Sequence, residues 1–519
     1  MRDHHPRPDL AARLSETAER RPDQVALRWQ DRATTYGELD RLVTHAAGGL
    51  QSLGVGHTDR VAVMLGNTPS FVEVFLGALR AGAAVVPLNP ALTGEEVGSI
   101  LADSATHTLI VGEAGMRGID RVRAVAGAAL RHVVVAGSVG APRGTATWRD
   151  LVNAGHPYTP VERSPDDVAA LVYTSGTTGR PKGAMLTRRN LAANQDQVLA
   201  TPLAVRPDDV VLAVLPLFHI YALNVGLGSA VRIGATIVLT ERFDPSATLD
   251  LIDRHGVTVV LGAPPMYVAW LNTPRVGEAD WSSVRVAVSG AAPLPAPVLE
   301  RFRDEVGVTI WEGYGLTEAG PAVTTTAMGG VAKPGSVGAP LPGVELRLVD
   351  DAGRDVEPGD PGEVWVRGDN VFVGYWKDPA ETAATLTGDG WLRTGDVGIF
   401  DADGDLRLVD RLKDLIIVSG FNVYPREVED VLHRHPDILA AAVVGVAHPY
   451  TGEAVKAYAV RRPGAELTED DVVAWAQEHL ARFKCPAAVE FVAQLPQTAT
   501  GKVRRTALRS EPASRHVNA

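Results

Sequence analysis

The stretch YTSGTTGRPKGAML, residues 173–186, packs small, hydroxylated and cationic residues into one short segment. Gly176, Gly179 and Gly183 let a backbone curl tightly and come close to a ligand. Thr174, Ser175, Thr177 and Thr178 would turn hydroxyls and exposed N–H groups toward one volume, and Lys182 adds a formal charge. A nest of that kind suits phosphate oxygens. It is not a Walker A loop, because Lys182 follows Pro181 and precedes Gly183, whereas that pattern needs Lys followed by Ser or Thr. The bland alternative is an ordinary Gly/Ser/Thr surface loop. Further chemistry-bearing segments are WEGYGLTEAG (311–320), GWLRTGDVG (390–398), VDRLKD (409–414) and TATGK (498–502). The chain uses Arg for almost every cation: of 50 basic residues only Lys182, Lys333, Lys377, Lys413, Lys456, Lys484 and Lys502 are lysines. Their positions are therefore worth following.

Positioning such segments calls for a layered scaffold. Apolar strand-like runs at 59–66, 83–89, 106–112, 131–137, 167–175, 235–240, 257–264 and 284–290 alternate with helical segments such as 69–82. Strands that are apolar on both faces and separated by helices predict parallel sheets covered on both sides. The phosphate-suited loop is expected after the strand 167–175 and before the helical RRNLAANQDQVLA. Between 345 and 376 the text turns strand-rich with Pro–Gly punctuation, which predicts a small antiparallel, barrel-like subdomain. Beyond VDRLKD, a helix, two strands and a second helix predict a compact α+β unit. The fold class is thus α/β. A large N-terminal lobe of layered subdomains spans 1–410, a hinge 411–414, a smaller C-terminal α+β domain 415–510, and a polar, disordered tail 511–519.

Length and composition bound the rest. A chain of 519 residues is too long for one core and predicts roughly three to five units. A net charge of -12 argues against a nucleic-acid partner. Cys485 is alone, so no intrachain disulfide forms, which fits a cytoplasmic location. The run 210–231 carries no Lys, Arg, Asp or Glu and is long enough to span a bilayer. Pro216, His219 and Asn224 interrupt it, so it reads as a buried strand followed by a pocket-lining helix, with no integral membrane segment.

These motifs, in this order, resemble the adenylate-forming superfamily of acyl-CoA synthetases, peptide-synthetase adenylation domains and firefly-type luciferases. The resemblance runs from TYGELD near residue 35 to GKVRR at 501–505. It implies that a carboxylate attacks the α-phosphate of ATP, releasing pyrophosphate. Both reactants are anions, so counter-charge is the first requirement. By resemblance the loop of Thr174, Ser175, Gly176, Thr177, Thr178, Gly179 and Lys182 holds the leaving phosphates. Thr317 meets the α-phosphate and Glu318 is the metal ligand, for Mg²⁺, which favours a carboxylate plus substrate oxygens. Gly290, Ala291 and Ala292 form the adenine wall, with Tyr314 and Gly315 beside the base. Asp396 accepts from the ribose hydroxyls, and Arg411 makes the second ribose and phosphate contact.

The same resemblance makes Lys502 the catalytic ammonium that bridges carboxylate and α-phosphate, a flexible point charge suited to following developing charge. Lys413 is the hinge residue, and rotation there would withdraw Lys502 and bring in Gly420, beside which the arm of coenzyme A would run. Arg482 and Lys484 are candidate contacts for the coenzyme's phosphates. His219 stands where amino-acid-activating relatives commonly place an Asp, which disfavours a free α-amino acid and implies a gate beside the carboxylate. Tyr221, Leu223, Gly226, Pro264, Gly313, Leu316 and Ala319 are expected to line the acid pocket.

The expectation is an AMP-forming acyl-CoA synthetase for a hydrophobic acid, aliphatic before aromatic, using ATP, Mg²⁺ and coenzyme A. Rival readings keep the adenylation and change the rest: an aryl acid, a carrier-protein thiol as acceptor, or nitrite activated to diazotise an arylamine. A rival of another class is a non-catalytic nucleotide-binding regulator, which predicts losses at Glu318, Asp396 or Lys502; all three are present. Monomer and homodimer stay open.

Overall fold

The computed structural model describes residues 9–137, 145–175, 181–419, 421–498 and 502–509, with the backbone alone at Ser175, Lys413 and Thr506. Two large sheets carry the N-terminal part. In the nine-stranded sheet the strands Val210–Ala213, Thr236–Leu239, Val259–Gly262, Val286–Ser289 and Ile310–Gly315 run parallel to one another, and Ile310–Gly315 then pairs antiparallel with Ala322–Thr325. In the seven-stranded sheet, Arg60–Met64, Ala84–Pro87, Thr108–Gly112 and His132–Ala136 do the same. Their side chains are buried on both faces; Val61, Val63, Val85, Ile110, Val259 and Val260 are fully enclosed. Helices cover these faces, as the apolar strands require.

Helix starts follow their polar residues. Thr68 accepts from the N–H of Phe71 and Pro69 opens the helix Pro69–Arg80, a position where proline's missing N–H costs nothing. Thr187 and Asn190 form a reciprocal cap on the helix Arg188–Leu199. Asn190 then reaches across with Nδ2 to the carbonyls of Asp369 (2.9 Å) and Val371 (2.7 Å).

The phosphate-suited segment differs from its expectation. It does not run from strand directly into helix. Val168–Ser175 and Pro181–Thr187 pair as an antiparallel hairpin, with Thr174 opposite Lys182, and the helix begins only at Arg188. The alternation in KGAML was masked by small residues: Gly183 has no room for a side chain, since a Cβ there would lie 2.9 Å from Leu171 Cδ1.

The strand-rich region is a four-stranded antiparallel sheet of Glu345–Val349, Gly362–Arg367, Leu392–Phe400 and Leu406–Arg411. A five-stranded sheet follows, built around the long pair Ile438–His448 and Gly452–Arg461 and covered by the helices Pro425–Leu432 and Glu469–His479. The run 210–231 becomes the strand Val210–Ala213, a π-helix Tyr221–Gly228 and a short helix Ser229–Ile233. Among the described residues no helix is long and apolar enough to cross a membrane.

Candidate functional site

The functional segments converge where the two large sheets meet the four-stranded one. Strand Ile310–Gly315 ends in the turn Thr317–Ala319, which presents Thr317 and Glu318. A strap at 371–376 joins this turn to the phosphate hairpin: the N–H of Phe372 donates to Glu318 O (2.8 Å), and Val373, Gly374 and Trp376 bond to Met185 and Gly183. Within the strap, the Tyr375 hydroxyl donates to Glu318 Oε1 at 2.8 Å. Burial and the Glu318 carboxylate both push that hydroxyl's pKa up, so it stays a donor. The Lys182 ammonium pairs with the Glu381 carboxylate and lies 5.7 Å from the Tyr375 ring centre. Gly176, Thr177, Thr178 and Gly179 lie outside the described residues, as do Gly420 and the side chains of Ser175 and Lys413.

Tyr375 and Glu381 were not singled out in the sequence. Nothing in VGYWKDPAET marks them, because their partners lie far along the chain; the one signal was a buried-type tyrosine in a polar loop.

A second cluster stands on the four-stranded sheet. Asp396 and Arg411 are cross-strand partners, and Arg411 Nε lies 2.8 Å from Asp396 Oδ1. Tyr314 donates its hydroxyl to Asp396 Oδ2 at 2.6 Å. Burial first, then the neighbouring carboxylate, holds that phenol protonated. The three residues expected around the nucleoside are thus in contact, although they are 82 and 15 residues apart in sequence. The small-residue turn after Val286–Ser289 lies near the π-helix: a Cβ on Gly290 would meet the Tyr221 ring at 2.9 Å, and Ala291 adopts φ 69°. Glu312, in the strand that carries Tyr314, accepts from the Leu294 N–H (3.2 Å) with Oε1, while Oε2 is buried without a hydrogen-bond partner among the described residues. Burial pushes its pKa up to about 7, against the pull of Arg426.

The third cluster brings a C-terminal segment to the middle of the chain. His219 is half-buried, its Nδ1 accepting from the Tyr221 N–H at 3.3 Å. Burial, and then the nearby Lys502 ammonium, push its pKa down to about 4, so the imidazole is neutral at physiological pH. Lys502 is tied to Thr498: the Thr498 N–H donates to Lys502 O (2.8 Å) and the Lys502 N–H to Thr498 Oγ1 (3.1 Å).

Of the expected pocket residues, Leu223 and Ala319 are fully buried in the main core, and Pro264 opens the helix Pro264–Leu271 beneath it. Gly226 borders a small apolar cavity with Ala222, Leu227 and Leu261. Tyr221, Gly313 and Leu316 keep part of their surface open. The hydroxyls of Tyr221 and Ser289 are buried with no hydrogen-bond partner among the described residues.

The remaining lysines separate by role. Lys333 is held by Asp401, Asp403 and Asp405, and Lys456 by Glu490. Lys377 donates to the Asp103 carbonyl at 2.5 Å. Lys484, a candidate for coenzyme phosphates, is neutralised in this arrangement by both oxygens of Glu427, at 2.7 and 2.8 Å.

Comparison with known proteins decides the family. The AMP-binding enzyme model matches residues 14–376, and the AMP-binding enzyme C-terminal domain model matches 427–502. The chain belongs to the adenylate-forming, AMP-binding enzyme family. It is similar to a feruloyl-CoA synthase of an Amycolatopsis species, 41% identical over 94% of this chain and 96% of that one. A long-chain-fatty-acid–CoA ligase of Bacillus subtilis is 35% identical over 99% and 96%. The ATP-bound crystal structure of MatB from Rhodopseudomonas palustris superposes with a TM-score of 0.88 at 34% identity, covering 96% of this chain and 98% of that one. The protein is an AMP-forming ligase of this superfamily.

The donor set suits Mg²⁺. Among the described residues no group of three His, Cys, Asp or Glu side chains forms a metal cage. Glu318 instead offers one carboxylate, steadied by Tyr375, beside the phosphate hairpin. Magnesium is commonly held by one or two carboxylates, waters and substrate phosphates.

Proposed function

We propose that the protein activates a hydrophobic carboxylic acid to its acyl adenylate and transfers the acyl group to coenzyme A. In the first half-reaction a carboxylate oxygen bonds to the α-phosphorus of ATP while the bond to the β-phosphate bridging oxygen breaks, and pyrophosphate leaves. Magnesium, when bound through Glu318, would neutralise phosphate charge. Lys182 would exchange its Glu381 partner for the departing phosphates, Asp396 and Arg411 would hold the ribose, and Tyr314 would face the base. Lys502 would stand between the two reacting anions. In the second half-reaction the thiolate of coenzyme A attacks the acyl carbon and AMP leaves.

One observation carries this reading: Lys502, near the end of the chain, lies close enough to His219 to depress its pKa. A cation from a distant segment brought beside His219 is what the joining of two anions needs.

Within hydrophobic acids we place aromatic acids ahead of aliphatic ones, reversing the order expected from the sequence. The unpartnered hydroxyls of Tyr221 and Ser289 favour a substrate with a hydrogen-bonding group away from its carboxylate. The likeness to a feruloyl-CoA synthase points the same way. Pyrophosphate release with ferulic, benzoic and medium- to long-chain fatty acids, with and without coenzyme A, tests both parts. Thioester formation only with aromatic acids is expected. Pyrophosphate release from none of them would overturn the activity, and a preference for fatty acids would overturn the order.

A further inference from the structure

Asp410 is the acidic residue that precedes Arg411 at the end of the strand Leu406–Arg411. Its side chain is 2% exposed. Oδ1 accepts from the Arg411 N–H at 2.7 Å, and Oδ2 accepts from the N–H of Arg426, in the first turn of the helix Pro425–Leu432, at 2.8 Å. Arg426 Nη1 also donates to the Leu408 carbonyl at 2.9 Å. The Arg505 guanidinium stands 3.9 Å from Asp410 Oδ1. It is held by both oxygens of Glu429 (2.8 and 2.7 Å) and by Asp414 at 3.4 Å, and Arg509 reaches Asp414 at 3.1 Å.

Arg505 lies three residues beyond Lys502, at the start of the short helix Arg505–Arg509. These contacts differ in what a rotation about residues 411–414 would do to them. Glu429 and Asp414 lie on the same side of Lys413 as Arg505 and travel with it. Asp410 lies on the other side. A rotation there would break its bond from the Arg426 N–H and its pairing with Arg505. These charge-assisted contacts are exchanged for water when the lobes separate, so they favour the orientation that makes them.

We propose that Asp410 is a positioning residue: a latch that holds the C-terminal lobe in the orientation presenting Lys502 to the acid pocket. Its release accompanies the second half-reaction. The inference rests on the two-step reading above. Arg505 is its partner, so the charge that closes the latch and the ammonium that serves adenylation ride on the same short C-terminal segment.

The test uses the whole chain and Asp410→Asn, which keeps the volume and one acceptor while removing the charge that faces Arg505. Ferulic acid is the probe for ATP–pyrophosphate exchange, and synthetic feruloyl adenylate with coenzyme A is the probe for thioester formation. The expected result is an exchange rate at least about tenfold lower, with KM for ATP and ferulate within about twofold of wild type, since only the reacting arrangement is lost. Thioester formation from the supplied adenylate should be unchanged or faster. Arg505→Lys, which keeps the charge, should retain more exchange than Arg505→Gln. Amide hydrogen exchange should quicken over 424–432 and stay unchanged over 259–262, which shows an intact fold. Equal loss in both half-reactions, or unaltered hydrogen exchange over 424–432, would overturn the latch. If wild-type protein exchanges pyrophosphate with no acid, the functional reading fails, and the hydrogen-exchange comparison still decides whether Asp410 holds the lobe.

Discussion

Glu312 offers a test whose sign and size follow from its surroundings. It is a carboxyl in the strand that carries Tyr314, 2% exposed, with one oxygen lacking any hydrogen-bond partner among the described residues. Burial raises its pKa from 4.5 to about 7. The folded protein therefore binds this proton more tightly than the unfolded chain does. Stability conferred by the neutral carboxyl is complete below the unfolded value and is lost as pH rises through the folded one. From those two pKa values the loss is roughly 1 kcal/mol at pH 5 and roughly 3 kcal/mol at pH 8. Glu312→Gln keeps the shape and cannot ionise. Relative to wild type it should gain roughly 2–3 kcal/mol between these pH values, whatever constant offset the amide brings. Urea unfolding followed by tryptophan fluorescence, at matched ionic strength, reads the difference. An unchanged difference between variant and wild type at both pH values would refute the burial argument, and a change of opposite sign would mean that Arg426 dominates over desolvation.

Three further outcomes test the site. Lys502→Ala should slow ATP–pyrophosphate exchange by about 10²–10³, the usual loss for a preorganised charge at a reacting centre, while thioester formation from supplied acyl adenylate persists. Equal loss of both steps would contradict separate lobe orientations. Asp396→Asn should weaken ATP binding, measured by titration calorimetry, by about one to two powers of ten, as expected for losing charge-assisted bonds. An unaltered affinity would remove it from the ribose site. Tyr375→Phe should raise the Mg²⁺ concentration for half-maximal exchange by about ten- to a hundredfold, the scale of losing a hydrogen bond to a ligating carboxylate, with KM for the acid unchanged.

Local chemistry made much of this protein legible without coordinates. The apolar runs around Val61, Val134 and Val260 could only be buried strands, and the alternation with helices required parallel sheets. Thr68 followed by Pro69 marked a helix start in its own residues. The motifs carrying Thr317, Glu318, Asp396, Arg411 and Lys502 were visible because each is short and contiguous. The hairpin around the phosphate-suited loop was harder to see, since Gly183 and Ala184 pack against their neighbours by being small and leave no hydrophobic alternation to read.

What sequence alone determined was therefore the set of elements, the family and the chemical inventory, because propensity, periodicity and short motifs act over a few residues. Tertiary structure decided which charges meet. Tyr375 reaches Glu318 across 57 residues, Lys182 finds Glu381, Asp410 receives Arg426 and faces Arg505, and Lys502 comes to His219. These pairings depend on distance and burial, which weigh a charge far more heavily in an enclosed site than in water, and neither quantity is written in the order of residues.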